Sequence, residues 1–172
     1  MAITKQRLSL NIRRSFTTYF KTAFEIPNSM KGKVNYGDSS FDASPMDEWV
    51  VIGFLADMAG KKGFTMVQVD VLTLVAGRRP SGDRYGTTCQ QLADKVHAAL
   101  HVDAMQLYDF TSNPNVPILL AGKKLVVQNS SGVFREPEEV KSLSIEENLN
   151  RIALTYRLIT LGDFAKVNSY YD

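Results

Sequence analysis

The chain has 172 residues, of which 44% are hydrophobic, 22% charged and 10% aromatic, a composition that suits one globular domain and disfavours disorder, collagen-like repeats and membrane spans. Twenty Lys and Arg against 18 Asp and Glu leave a net charge of +2, too small an excess to name a phosphate-rich partner. A single cysteine, Cys89, excludes an internal disulfide, and with only two histidines it is too little for a structural zinc site.

The small net charge is a cancellation. Residues 1–37 carry seven basic side chains and one acid, whereas residues 38–60 carry Asp38, Asp42, Asp47, Glu48 and Asp57 with no base. These blocks are +6 and −5, and residues 61–100, 101–150 and 151–172 follow at +3, −3 and +1. Blocks of alternating sign suit head-to-tail assembly, in which a positive face of one copy meets a negative face of the next, and they suit compensation within one copy equally well. Lys5, Arg7, Arg13 and Arg14 interrupt the apolar core that a signal peptide would need, so the expectation is a cytoplasmic site of synthesis and no membrane partner. Asn129–Ser131 then reads as turn chemistry and not as a glycosylation site.

From Lys5 to Phe24, the residues Leu8, Ile12, Phe16, Tyr19, Phe20 and Ala23 recur at three- and four-residue steps and predict an amphipathic helix. Arg7, Arg14 and Lys21 fall on its opposite face as a solvated or docking stripe, and Pro27, Asn28 and Ser29 supply the stop. Residues 28–47 read as a long loop with one edge strand at Val34–Tyr36. Trp49–Leu55 and Phe64–Val75 are rich in β-branched and aromatic residues and predict a long antiparallel hairpin with Gly60, Lys61, Lys62 and Gly63 at its tip. Gly77–Gly82 breaks the second strand, and Asp83 caps a helix running to about Leu100.

Within that helix Cys89, Leu92, Ala93, Val96 and Leu100 form the core stripe, so Cys89 reads as a small buried hydrophobe. Met105–Phe110, Ile118–Leu120 and Leu125–Gln128 are short extended pieces that predict a small peripheral sheet or second hairpin. Residues 135–150, with five glutamates around Pro137, read as a solvated connector with a helical turn. Arg151–Thr160 alternates cleanly and predicts a half-buried antiparallel strand. There is no internal repeat. The predicted fold is α+β: an antiparallel or mixed sheet with two helices on one face, forming a single domain over residues 1–172 with a peripheral insertion at about residues 103–150.

Catalytic signatures fail on geometry. The dinucleotide and phosphate-loop glycine patterns and Gly-x-Ser-x-Gly are absent. Cys89 lies two or three turns from His97 and His101 on the same helix, out of reach of both. Asp57 and Asp70 on the hairpin could approach one another as an acid pair, although isolated carboxylates on surface strands are far commoner. Gly60–Gly63 (GKKG) has the spacing of a KH loop but joins strands where that loop joins helices. Gly77–Gly82 with Arg78, Arg79 and Arg84 precedes a helix and offers a weak anion site, read more readily as a protein contact.

An N-terminal amphipathic helix, a hairpin whose second arm reads MVQVDVLTLV, a Gly/Pro/Asp break, the helix LADKVHAAL and the closing strand RIALTYRLI occur here in that order. This pattern resembles the tail terminator proteins of long-tailed bacteriophages over residues 3–110 and 150–162. Its most characteristic part is the strand Met66–Val75 followed by the helix at Asp83. The resemblance implies a structural virion protein of the tail or neck with no enzymatic activity, cofactor or metal. Such proteins form a homo-hexameric ring on the last ring of tail-tube subunits, stop tube growth and offer a surface to the head-tail connector, with DNA met only in its passage through the lumen. Under this reading Lys61, Lys62, Arg78, Arg79 and Arg84 are the partner-binding residues. The alternatives are another head-tail connector or tail-completion protein, and a small α+β enzyme or regulatory domain.

Overall fold

The computed structural model describes residues 5–58, 64–76, 82–111, 113, 115–128, 137–144 and 148–161. Its elements are α1 (Lys5–Phe20), β1 (Val34–Asn35), β2 (Glu48–Met58), β3 (Phe64–Leu74), α2 (Thr87–Leu100), β4 (Met105–Asp109), β5 (Ile118–Gln128), β6 (Glu138–Ser144) and β7 (Leu149–Leu161). All the strands belong to one sheet in the order β1-β2-β3-β7-β5-β4, with β6 also paired to β7. The β1–β2 pair is parallel and the others are antiparallel, so the α+β fold is built on a mixed sheet.

Aromatic spacing explains how α1 is held. Leu8, Ile12, Phe16 and Phe20 follow one another at four-residue steps and all are buried, with Phe16 and Phe20 stacked at 5.7 Å. Four-residue steps drift by about 40° each on a helix of 3.6 residues per turn. A wider π-helical turn, Lys21–Glu25, follows α1 and takes up part of that drift, and Phe24 stacks on Phe20 at 4.7 Å. Each buried phenyl ring contributes on the order of 2–3 kcal/mol of hydrophobic stabilisation.

The inner face of the sheet is set by simple alternation. Thr65, Val67, Val69, Val71 and Thr73 of β3 are buried, as are Ile152, Leu154, Tyr156 and Leu158 of β7. Both helices pack on this face, since one apolar cluster joins Phe16 and Phe20 of α1, Cys89, Leu92 and Val96 of α2, and those strand residues. The two helices also meet directly, where the Tyr19 hydroxyl donates to the carbonyl of Ala99 at 2.9 Å.

Three local details differ from the sequence reading. The second hairpin is β4 with β5, and it continues the main sheet through five β5–β7 register pairs, from Lys124 with Leu161 to Gln128 with Arg157. The two pieces expected between Ile118 and Gln128 are one strand, interrupted where the β4–β5 register shifts and Gly122 has φ +73°. Residues 138–144, expected as part of a connector, form β6, because β7 runs on past β5 and its vacant edge supplies a partner for Glu138–Ser144. Glutamates tolerate that position because it lies at the rim of the sheet.

Candidate interaction surface

Four edges or faces of this sheet differ in what covers them. The β4 edge is sealed by α1. Asn11 and Ser15, four residues apart on α1 and buried at 0% and 1% exposure, point at the edge of β4 that β5 leaves free. The Ser15 hydroxyl accepts the N–H of Tyr108 at 3.0 Å, and Asn11 Oδ1 accepts that of Phe110 at 2.9 Å. Asn11 Nδ2 in turn donates to Asp109 Oδ1 at 3.2 Å. Two strand donors that would otherwise be buried without acceptors are thus satisfied by helix side chains, which closes the edge to other strands.

The end of β3 is sealed in a similar way. The Asp83 N–H reaches the carbonyls of Leu74 and Val75, and its carboxylate accepts Thr73 Oγ1 at 2.6 Å together with the N–H groups of Thr88 and Cys89 at 2.8 and 2.9 Å. Asn150 Nδ2 of β7 also donates to this carboxylate, at 3.3 Å. Burial pushes the Asp83 pKa up, and the four hydrogen bonds outweigh it, so the carboxyl group lies below its ordinary value. Asp83 therefore caps α2 as the sequence suggests, but from four residues ahead of a helix that begins at Thr87 after Gly86. Gly82 permits the turn: it has φ +54°, and a Cβ there would collide with the Val75 carbonyl oxygen.

The face opposite the helices and two edges are open among the described residues. On the face opposite the helices, Met66, Gln68, Asp70 and Leu72 of β3 lie beside Trp49, Val51 and Gly53 of β2 and Arg151, Ala153 and Thr155 of β7, and none of these is buried. Asp70 and Arg151 form a bidentate ion pair at 3.0 Å across this face, with Gln68 donating to Asp70 at 2.8 Å. No described element packs over it. The outer edge of β2 is paired with β1 only at Val50 and Val51, so among the described residues Ile52–Met58 present an unpaired strand edge. Its register shifts between Phe54 and Ala56, and the intervening Leu55 is 57% exposed. At the far side, β6 is paired with β7 alone, and Val140 is 58% exposed.

Both open edges carry mixed charge: Arg13 of α1 stands beside β2, a strand that itself carries Glu48 and Asp57, and Glu139 of β6 is paired with Lys141 of the same strand. Arg13 lies 5.3 Å over the ring of Phe54 on β2, and Lys21 lies 5.1 Å over Tyr36, just beyond β1. Beside β6, Asp94 and His97 of α2 and Glu139 of β6 line a cavity of about 300 Å³. Within it, Glu139 pairs with Lys141 at 3.0 Å, and His97 Nδ1 is buried without a hydrogen-bond partner. The basic stripe of α1 is thus an edge feature: Arg14 also sits on an aromatic ring, that of Phe110, at 5.8 Å.

Of the five partner-binding candidates, Arg84 is exposed in the turn before α2, beside Tyr85 at 87% exposure. Lys61, Lys62, Arg78 and Arg79 lie outside the described residues. The segments carrying them connect to opposite ends of β3, which at about 3.3 Å per residue are over 30 Å apart.

The possible acid pair is dispersed. Asp57 is registered with Thr65 and Asp70 with Val51, six positions along the ladder, or about 20 Å. Antiparallel register about the hairpin tip separates them, and Asp70 pairs with Arg151 instead. Cys89 is a core residue as expected. Its thiol donates to the Val71 carbonyl at 3.4 Å, and burial pushes its pKa up to about 11, the opposite of what a nucleophile requires.

Sequence reasoning missed Asn11 and Ser15, whose four-residue spacing along the border of the apolar stripe was the available signal. It also passed over Leu55 and Val140, because edge position is a property of topology.

These features define an α+β protein that, among the described residues, has one helix-covered sheet face, one face without a covering element and two edges that are paired on one side only. The chain matches no protein-family model and no curated protein. No helix among the described residues is long and apolar enough to cross a membrane.

Proposed function

We propose that the protein is a structural assembly protein of the phage tail terminator kind, which forms a ring on the end of the tail tube and presents a surface to the head-tail connector. The observation that carries this reading is the asymmetry of the sheet. Among the described residues its β4 edge and helix-bearing face are covered, while the opposite face and the β2 and β6 edges remain for other chains. Unlike surfaces on one subunit are what a closed cyclic assembly needs, because each interface joins a patch on one copy to a different patch on the next. The alternating charge blocks add complementary long-range attraction. In this reading the partners are further copies of the chain, the tail-tube subunit and the connector, and no residue carries out catalysis.

The test is addition of the purified protein to tail-tube subunits that are polymerising. Growth should stop at a defined point, with six-fold rings at tube ends in negatively stained images. Tubes that lengthen at an unchanged rate, with no ring at their ends, would overturn the proposal. Charge reversal at Arg84, together with Lys61, Lys62, Arg78 and Arg79, should weaken ring or tube contact, and unchanged capping would remove these residues from the partner surface.

A further inference from the structure

We infer that His97 and His101, at the C-terminal end of α2, form a two-imidazole site for a divalent late transition-metal ion of the zinc and copper class. The inference is independent of the assembly reading, since both ligands come from one helix of one copy. Residues four apart on a helix stand about 40° apart around its axis and one turn along it, so both rings leave α2 on the same side. Their ring centres are 5.6 Å apart, with the ring planes at 61°. Two imidazoles on one ion, each with a metal–nitrogen bond of about 2.0–2.1 Å at a tetrahedral angle, have ring centres about 5 Å apart, so a side-chain movement of about half an ångström closes the chelate.

Nothing else in the chain engages the pair. Among the described residues neither imidazole makes a hydrogen bond or an ion pair, and the contact each ring does make is with the other. His97 Nδ1 is buried without a partner, whereas a histidine with a purely structural role has its buried nitrogen satisfied. His97 and Asp94 line the cavity of about 300 Å³ beside β6, which gives an ion and its waters room on that side. His101 is exposed and leaves the site open to entry from solvent.

The local electrostatics suit a cation. The last-turn carbonyls of a helix carry partial negative charge, and Asp94, three residues before His97, stands on the same side of α2. Lys95 lies about 160° round the helix from His97, away from the rings. Glu139 lines the cavity but is paired with Lys141, so the site does not depend on it. Imidazole selects zinc, nickel and copper ions, whereas magnesium and calcium take oxygen ligands. Among the described residues no third His, Cys, Asp or Glu joins the pair, so water fills the remaining positions and the site is an open one, unlike a closed structural zinc site. Cys89 is buried two turns away and takes no part.

The experiment uses the full chain, free of any affinity tag. It is titrated with zinc chloride in competition with a chromogenic chelator, and one equivalent of copper(II) is added for electron paramagnetic resonance. The expected results are one zinc ion per chain, copper hyperfine structure from two imidazole nitrogens, and no displacement of zinc by excess magnesium or calcium. His101→Ala, an exposed change outside the core, and His97→Gln should each weaken zinc binding at least about ten-fold, because each removes the effective concentration that holds the second ligand. Far-ultraviolet circular dichroism of the metal-free variants should match the parent, and if His97→Gln unfolds, His101→Ala decides the matter alone. Zinc affinity unchanged in His101→Ala, a copper spectrum with one coordinating imidazole or none, or displacement of zinc by calcium would overturn the inference.

Discussion

The β4 edge and the β2 edge of this sheet are made of the same backbone, yet one is closed by its own chain and the other is not. At β4, a helix contributes two small buried polar side chains that accept the N–H groups of Tyr108 and Phe110. At β2, the nearest helix residues are Phe16, packed edge-on to Phe54 at 5.9 Å, and Arg13 above the same ring, and both contact a side chain and leave the strand edge itself uncovered. A buried edge without acceptors costs free energy for every donor it strands, whereas an edge open to water costs little and remains able to bind. The distribution of polar side chains on α1 therefore decides which end of the sheet is finished and which is available.

The strongest way to break this contrast is to unseal β4. Asn11→Ala with Ser15→Ala strands the N–H groups of Tyr108 and Phe110, and the loss should be about 3–4 kcal/mol in urea unfolding, with new concentration-dependent light scattering as the β4 edge becomes reactive. If stability falls and scattering does not change, the seal is structural only. Asp83→Ala, at the other sealed site, should cost about 3 kcal/mol, since it removes the α2 cap and leaves Thr73 and Asn150 short of a partner.

Asp83 also predicts a pH dependence. Its pKa in the folded chain is depressed, so the carboxylate contributes stability above the ordinary carboxylate pKa, and that contribution is lost as pH falls through the folded-state value. Asp83→Asn should accordingly reduce the difference between urea midpoints measured at about pH 7 and about pH 3. An unchanged difference would assign acid sensitivity to other carboxylates.

Arg151→Met removes the ion pair with Asp70 on the bare face, where Arg151 is largely exposed. The expected cost is at most about 1 kcal/mol, smaller than at either sealed site. Smallest of all in stability is Leu55→Lys, at a fully open edge, which should shift unfolding by no more than about 0.5 kcal/mol. A large loss of stability in Leu55→Lys would mean that the β2 edge is packed within the subunit.

The central elements were legible because their signals are local. Leu8, Ile12, Phe16 and Phe20 mark α1 by four-residue steps, and Val67, Val69 and Val71 mark β3 by alternation. Each pattern follows from the geometry of one element burying one face. The β6 strand was not legible, because Glu138, Glu139 and Pro137 look like solvent-facing chain until β7 offers them an edge. The role of Asn11 and Ser15 was not legible either, because their partners lie more than 90 residues away in the chain.

By itself, then, the sequence determined the helices, the long hairpin, the closing strand, the α+β class and the cancellation of charge between adjacent blocks, all of which depend on residues close together in the chain. Only the tertiary structure decided which edges are sealed and which stay open among the described residues. Those properties depend on which backbone donors remain after the strands have paired, and pairing joins residues that are distant in sequence.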